Sequence, residues 1–577
     1  GNSYTVNGTS IKADVCIPNN YIKVAIKTNN DEDYTIKNGG NVILKGYLEA
    51  KENISFEMII WLAEETPNDY QGQTEEGTLR NVIYNGNFKI YTRQLLEENE
   101  TLDSSGANKP VLASNMIPVY YDETEEVWKK ADVNNRDSNY QWYSYEPSGN
   151  YKGMWANAVT LTSTNRTTYL NAAPGTTISM DDINTMWVWI PRFKVNTTDF
   201  DVISGECSCS DTSYTTKTEC ISNHRSYWQC PNPGAIDITF VKASEQAIDA
   251  FTFGDKQLSG FWYGKFEISH STLASSTTKN NLGCTNETCS NANGIIIKPN
   301  VVSLRINSVS NLFFASRSME QSGNSFGFVS AEVDTHMSKN NEWGAVAYLT
   351  QSIYGRCTNS TTCSEVYINN SEGYYTGRSG GNVGGSTPIN ETYTDQTSTT
   401  DYNTYGFYTY DDYLLNYNTN TKGNKVKGKG TGASTTGTIY GIYDMSGGAY
   451  ENVMGVLADP YGTPFSGYDS SWNSGFTGTL WDYSTYDFIT YTGISLPNSK
   501  YYNIYTETTY TGHALIETAG WYGGSADLVD SNAPWFGRGS FYSSSTGGGT
   551  SLFGFGGTFG HPATRDNGSS RFVITNE

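Results

Sequence analysis

The chain has 577 residues, a formal net charge of −22 and an isoelectric point near 4.7. Its length allows about two to four domains. The acidic balance argues against nucleic acid and against anionic membrane surfaces as partners, because both require clustered Lys and Arg. No apolar run approaches the roughly 18 residues of a membrane-spanning helix, so we expect no direct membrane insertion.

The composition is polar and aromatic: 43 Tyr and 58 Gly stand against only 17% charged residues. Such a composition is typical of β-rich proteins with long loops. Tyr, Ser, Gly and Asn are also the residues of adaptable binding surfaces, because Tyr offers contact area at a low entropic cost. We therefore expect a β-rich α+β fold.

Residues 1–97 contain apolar segments with partial alternation, separated by turn clusters. The segments are VCIPNNYIKVAIKT (15–28), NVILKGYLEA (41–50), ISFEMIIWLAE (54–64) and FKIYTRQLL (88–96). This spacing predicts a small, immunoglobulin-like β-sandwich. The polar stretch 98–112 is predicted to be a linker.

Residues 113–577 form a second, larger unit with few helical patterns. SMDDINTM at 179–186 is predicted to be a short helix that begins with a polar cap. KNNEWGAVAYLTQSI at 339–353 has apolar residues at helical spacing and is predicted to be a longer helix. The stretch 370–437 is rich in Gly, Ser, Thr, Asn and Tyr, which is typical of long surface loops.

The nine cysteines indicate disulfide bonds. Cys284 and Cys289 bracket one short polar loop, and Cys357 and Cys363 bracket another; such spacings suit small disulfide loops. Cys16 is left over. A further group can form two bridges of open connectivity, or less plausibly a zinc site, since its C-x-C spacing is a poor match to paired zinc ligands. That group is Cys207, Cys209, Cys220 and Cys230. Disulfides predict an oxidising, extracellular setting.

Three patterns that could indicate catalysis are weak. G-N-K-V-K-G-K at 423–429 is close to a phosphate-binding loop but lacks the Ser or Thr that should follow. G-R-S-G-G at 377–381 matches a nucleophile elbow by letter only, since it lies in a Gly-rich stretch. The five His are far apart in the sequence, so no His-based metal motif is indicated.

Six phrases of the second unit occur in the order found in the formylglycine-generating enzyme (sulfatase-modifying factor) family, which has a C-type lectin-like fold. The phrases are MWVWIP (186–191), YGKFEIS (263–269), EWGAVA (342–347), GIYDMSGGAYE (441–451), RGS (538–540) and SRFV (570–573). Residues 113–577 therefore resemble this family. The resemblance implies a large C-type lectin-like domain with long loops, and it does not extend to residues 1–97.

The loop at 441–451 also has a chemical interpretation of its own. An acidic residue, a Gly-rich turn and a second acidic residue seven positions later can surround a hard cation with oxygen ligands. In the family that the chain resembles, this loop binds calcium. The implied ligands are the side chains of Asp444 and Glu451 and the carbonyls of Gly447 and Ala449. The alternative is a tight turn in which backbone N–H groups satisfy Glu451.

The enzymes of this family need two cysteines shortly after the RGS phrase, where they bind copper. Here residues 541–549 read FYSSSTGGG, and no cysteine occurs after Cys363. Thiolate ligation from this segment is impossible, so we expect a protein that is not an enzyme. The alternatives are a copper-dependent oxidase of the family's type, or a structural surface or pilus-associated protein.

Residues 538–571 mix aromatic, small, basic and acidic residues without the alternation of a core strand. The segment resembles the variable C-termini of proteins targeted by diversity-generating retroelements, which use the same fold. This resemblance implies an adhesin on a cell or virion surface that binds a protein or glycan ligand. The candidate ligand-binding residues are Phe541, Tyr542, Ser543, Ser544, Ser545, Phe553, Phe555, Phe559, His561 and Arg565.

Overall fold

The chain divides into two compact units, Gly1–Thr92 and Arg93–Glu577. In the computed structural model of the protein, the described residues of the first unit are 3–6, 9–12, 22–28, 35–37 and 56–62. Those of the second unit are 102–133, 139–205, 207–222, 228–272, 282, 284–285, 288–289, 291–369, 371, 373–379, 408, 413–416, 421–425, 430–460, 464–465, 476, 478–482, 487–491, 496–506, 512–531, 533–542, 550–556 and 567–576.

The described residues of the first unit are strands. They are β1 (Ser3–Val6), β2 (Thr9–Lys12), β3 (Ile22–Thr28), β4 (Thr35–Lys37) and β5 (Phe56–Leu62). β1 pairs with β2, and a separate antiparallel sheet has the order β4-β3-β5. β3 and β5 lie within two of the predicted strand segments; the other two segments, 41–50 and 88–96, are outside the described residues.

The second unit contains many short strands. In chain order they are β6 (Ile117–Asp122), β7 (Val127–Lys130), β8 (Asn157–Leu161), β9 (Ile183–Pro191), β10 (Phe193–Val195), β11 (Ser208–Cys209), β12 (Trp228–Gln229), β13 (Ile238–Phe240), β14 (Thr252–Phe253), β15 (Lys256–Gln257), β16 (Gly260–Gly264), β17 (Ser269–His270), β18 (Cys284–Thr285), β19 (Thr288–Cys289), β20 (Ile295–Ile296), β21 (Val333–Met337), β22 (Tyr413–Asn416), β23 (Thr421–Lys425), β24 (Tyr450–Leu457), β25 (Gly478–Asp482), β26 (Asp487–Tyr491), β27 (Asn503–Tyr505), β28 (Trp535–Arg538), β29 (Phe555–Gly556), β30 (Gly568–Ser570) and β31 (Phe572–Asn576).

Helices are few and short. The α-helices of the described residues are α1 (Arg166–Asn171), α2 (Phe200–Ile203), α3 (Lys217–Ser222), α4 (Val309–Ser318) and α5 (Asn340–Thr350). None of the helices in the described part of the chain is long and apolar enough to cross a membrane. The many short strands and few short helices of the described residues confirm the predicted β-rich α+β class.

A seven-stranded antiparallel sheet forms the framework of the second unit, in the order β21-β31-β16-β9-β8-β6-β7. Its strand β9 is buried over almost its whole length, which explains the unbroken apolar run MWVWIP. Each fully buried large apolar side chain contributes on the order of 2 kcal/mol. β31 lies between β21 and β16, which both come earlier in the chain. The residues that complete the sheet therefore follow residues 538–571, which we call the C-terminal segment.

A smaller sheet positions the candidate site. Its strands have the order β27-β24-β28-β29, and β30 also pairs with β24. The register places Glu451 opposite Arg538 in β28 and opposite Ser569 in β30. The two ends of the C-terminal segment are therefore paired with the same strand, β24.

One helix prediction is confirmed and the other is wrong. α5 lies within the predicted helix 339–353, and the Glu342 carboxylate accepts a hydrogen bond from the Lys339 N–H at 2.8 Å to complete its N-terminal cap. The predicted helix at 179–186 is instead a turn at 179–182 followed by the start of β9. Pairing of β9 with two neighbouring strands outweighs the local helix signal.

The predicted linker 98–112 is also corrected, because its described residues are part of the second unit. Asn108 is buried and donates a hydrogen bond to the Val241 carbonyl at 2.8 Å. The indoles of Trp189 and Trp262 donate to the carbonyls of Asn108 and Val111. These buried hydrogen bonds fix the stretch against the large sheet.

Three disulfide bonds join Cys207 to Cys230, Cys209 to Cys220 and Cys357 to Cys363. Cys289, which lies opposite Cys284 in the β18–β19 hairpin, is also disulfide-bonded. The disulfide prediction is therefore confirmed for these cysteines. Of the bonds whose connectivity the sequence left open, Cys209–Cys220 lies within the loop that Cys207–Cys230 closes. Cys16 is outside the described residues.

Candidate ligand-binding site

The C-terminal segment leaves β28 along a Gly-rich turn at 446–449. The Gly447 N–H donates to the Gly539 carbonyl at 3.1 Å, and the Tyr542 N–H donates to the Gly448 carbonyl at 3.0 Å. Gly448 has a φ of 72°, and a Cβ there would lie 2.4 Å from a carboxylate oxygen of Glu267. Only glycine fits this close approach, so the turn fixes the start of the segment.

The structure describes four of the ten predicted ligand-binding residues, and these four fall into two pairs. Phe541 and Tyr542 are half-buried at the surface. Phe553 and Phe555 are only 1% and 0% exposed, so these two candidate ligand-binding residues lie in the core rather than at the surface. The remaining candidates, Ser543, Ser544, Ser545, Phe559, His561 and Arg565, are outside the described residues.

The burial of this pair follows from the path of the chain. Phe555 lies in β29, which pairs with β28 so that Phe555 is opposite Arg538. The ring of Phe553 packs against Trp521 at 5.1 Å between centroids. Residues 550–556 therefore return into the core and separate two stretches of the segment, 543–549 and 557–566.

A group of aromatic rings surrounds the start of the segment. The ring of Tyr542 meets the ring of Tyr374 edge-on, with centroids 4.9 Å apart, and lies 5.9 Å from Phe541. The Arg305 guanidinium stacks on the Tyr374 ring at 3.8 Å. We call Phe541, Tyr542 and Tyr374, with Arg305 beneath, the aromatic patch. The three aromatic residues are half-buried.

Tyr374 belongs to a second loop, 371–379, which no motif in the sequence connects with the site. Its N–H donates to the Ser371 carbonyl at 3.0 Å, and its carbonyl accepts from the Ser303 N–H at 2.9 Å. Its φ of 56° is uncommon for a residue with a side chain. The only local signal was a pair of tyrosines in a polar loop, and nothing in the sequence connects that pair with Tyr542.

Buried carboxylates lie beneath both loops. Asp444 accepts hydrogen bonds from the Asn369 amide and the Gly377 N–H, each at 2.8 Å. Glu267 accepts from the Ala449 N–H at 2.9 Å and from the Ser303 hydroxyl. Asp444 thus holds the loop that carries Tyr374, and Glu267 holds the turn that positions Tyr542.

A third buried carboxylate, Glu451, is paired with Arg571. Both oxygens of Glu451 are contacted, by the Arg571 Nε at 2.9 Å and by its Nη2. Arg571 also donates to the Gly264 and Tyr443 carbonyls at 2.8 Å. The pair joins the end of the C-terminal segment to β16 and β24.

Burial governs the ionisation of these groups. It raises the pKa of Asp444 to about 6, although Arg571 and the Gly377 N–H act in the opposite direction. It raises the pKa of Glu451 to about 7 against the effect of Arg571. Burial and the charges of Asp444 and Glu451 raise the pKa of Glu267 well above its usual range. Protonation of this cluster therefore extends towards neutral pH.

The four predicted calcium ligands are in different situations. Asp444 keeps one buried carboxylate oxygen, Oδ2, with no hydrogen-bond partner in the described part of the chain, as a cation ligand requires. Glu451 is held by Arg571 rather than by backbone N–H groups, so its binding to calcium would require this pair to open. The N–H groups of Gly447 and Ala449 donate to the Gly539 carbonyl and to Glu267, which fixes the path of the turn.

Comparison with known protein families found no family model that matches this chain, and no curated protein matches it.

Proposed function

We propose that this protein is a non-catalytic, extracellular binding protein that displays a ligand-binding surface between Arg538 and Arg571. The observation that supports this best is the aromatic patch, in which Phe541 and Tyr542 stand half-buried at the start of the segment. Tyrosine is among the residues that dominate binding energy in protein interfaces. The family's copper-binding cysteines have no counterpart in residues 541–549.

The anchoring of the segment also supports this proposal. Arg538 is buried and donates to the Asn340 side chain at 2.8 Å and to the Ala514 carbonyl at 2.7 Å. Arg571 is equally buried and is held by Glu451. A rigid scaffold with anchored ends allows the residues between them to change without loss of the fold. This is the property that a variable binding segment needs.

The expected ligand is a protein or glycan on another cell or surface, and the expected location is a cell or virion surface. The disulfide bonds indicate an oxidising compartment. We include calcium at the 444–451 loop in the proposal as a structural ion, with Asp444 as its first ligand. The formylglycine-generating-enzyme-type scaffold likewise remains part of the proposal, carried by the six sequence phrases.

The test is a replacement of residues 541–549 and 557–566 by Gly/Ser sequence of equal length, with the buried stretch 550–556 retained. Binding is measured on a printed glycan array and with a phage-displayed peptide library. We expect binding to be lost while Tm changes by about 2 °C or less, since surface changes cost little stability. Tyr151→Ala is the control, because Tyr151 is 53% exposed and is remote in sequence from the replaced residues. Unchanged binding in the loop variant would refute the proposed surface.

A further inference from the structure

We infer that the binding surface extends beyond the C-terminal segment to the loop 371–379, where Tyr374 contacts the ligand directly and Arg305 positions it, and that the ligand is a segment of another protein. This inference rests on the proposed function and adds the partner class and a specificity residue to it. Neither Tyr374 nor Arg305 lies in the stretch that the sequence indicates as variable.

The first argument is contact. The rings of Tyr374 and Tyr542 are in edge-to-face contact, with centroids 4.9 Å apart and planes at 85°. Both are half-buried, so each retains some exposed surface. A ligand that covers Tyr542 therefore also covers part of Tyr374, although 168 positions of sequence, from 374 to 542, separate them.

The second argument is preorganisation. The backbone of Tyr374 is tied to Ser371 and Ser303, and Tyr375 is tied to Ser371 through the Ser371 hydroxyl at 3.0 Å. The φ of Tyr374 is 56°, a conformation that side-chain-bearing residues rarely adopt and that clusters at functional sites. Binding to a fixed loop costs less entropy than binding to a mobile one, so Tyr374 is suited to be a constant contact.

The third argument concerns Arg305. It is 8% exposed, and its guanidinium lies 3.8 Å from the centre of the Tyr374 ring. It is covered by that ring, and the stack fixes the ring's orientation. Arg305 is therefore a positioning residue, whereas Tyr374 is the residue that touches the ligand.

The geometry favours a protein segment over a sugar. A pyranose ring stacks on a flat, open aromatic face, but one face of Tyr374 is occupied by Arg305 and the ring of Tyr542 stands nearly perpendicular to it. An aromatic side chain of a protein partner can instead add a further edge-to-face pair to perpendicular rings, and Tyr is enriched at the energetic centres of protein interfaces.

The test uses a phage-displayed random peptide library selected on the whole protein, with affinities of enriched peptides measured by biolayer interferometry. Tyr374→Gly removes the ring and also relaxes the positive φ, so folding is preserved, which Tm confirms. We expect a loss of affinity of about tenfold or more for Tyr374→Gly. We expect less than about threefold for Tyr374→Phe, which keeps the ring, and no change for Tyr151→Ala. Arg305→Lys loses the planar stack and should weaken binding to an intermediate degree.

The outcomes separate the two proposals. Loss of peptide binding in both Tyr374→Gly and the Gly/Ser loop variant supports the inference. Loss in the loop variant alone overturns the inference and leaves the proposed function intact, while loss in neither overturns both. A glycan-array signal that disappears in Tyr374→Gly, with no enriched peptides, overturns the assignment of a protein ligand.

Discussion

His336 lies between two carboxylates in the core of the second unit. Its Nδ1 is 3.2 Å from Asp334 and its Nε2 is 3.0 Å from Glu342. Burial alone would lower the pKa of His336, but Glu342 and Asp334 outweigh burial and raise it above the usual value. Other charged groups around the cluster are Lys339 beside Glu342, and Arg317 and Lys500 on Asp334.

The raised pKa of His336 predicts a pH-dependent stability. Protonation of His336 is favoured in the folded form, so the protonated ring stabilises the fold. This stabilisation is complete below the unfolded pKa of about 6.5 and is lost as the pH rises through the folded pKa. We expect His336→Gln to flatten the decline in unfolding free energy from pH 6.5 upwards in urea titrations. His270→Gln is the control, because its nitrogens contact Thr272 and the Asn291 carbonyl instead of carboxylates. The prediction would be contradicted if the unfolding free energy of His336→Gln declined with pH as steeply as that of the wild type.

Arg571 and Glu451 provide a second prediction at the scale of residues. Arg571→Met leaves the buried Glu451 carboxylate without its cation, which should cost about 3–5 kcal/mol of unfolding free energy. The double variant Glu451→Met and Arg571→Met removes both charges and should recover much of that loss. Chemical denaturation of the two single variants and the double variant measures the coupling. Additive losses would show that the pair does not act as a unit.

Among the secondary-structure elements, the 444–451 loop leads to a prediction about calcium. Asp444 has a φ of 65° and an unpartnered carboxylate oxygen within the described residues. If calcium binds there, saturating calcium should raise Tm relative to EDTA, since a ligand at about 100 times its Kd adds about 2.7 kcal/mol. Asp444→Asn should abolish this rise while tolerating the positive φ.

The control for the calcium experiment is Asp181→Asn, at an exposed site remote in sequence from the loop. This variant should respond to calcium as the wild type does, and magnesium at the same concentration should give a smaller rise. A Tm of the wild type that is equal in calcium and in EDTA would show that the loop is a turn held by Arg571.

Local patterns predicted some elements well and others not at all. α5 was predictable because its apolar spacing and its Glu342 cap agree. The segment 179–186 was not, because the partners of β9 come from distant parts of the chain. Phe553 and Phe555 look like loop aromatics in sequence, and only the pairing of β29 with β28 explains their burial. Tyr374 could not be assigned to the candidate site for the same reason, since Tyr542, whose ring it contacts, is remote in the sequence.

For the molecule as a whole, the C-terminal segment is predicted to have an uneven tolerance to substitution. Residues 543–549 and 557–566 flank the buried stretch 550–556, in which Phe553 packs against Trp521. Random substitution of the flanking stretches should leave Tm within about 2 °C of the wild type. Phe553→Ala should cost about 3–5 kcal/mol. The tolerance is measured by displaying one library of random substitutions in the flanking stretches and another in residues 550–556, and selecting both by heat challenge. Equal tolerance in the two regions would contradict the prediction.

The position of β31 between β21 and β16 has a consequence for which mutations the segment 538–571 can accept. Every codon of residues 541–567 is translated before Arg571 and before the strand that completes the large sheet. A frameshift or premature stop in the segment therefore also removes β31 and Arg571. The fold therefore favours in-frame changes in this segment, since an out-of-frame chain lacks β31 and Arg571 and cannot complete the large sheet.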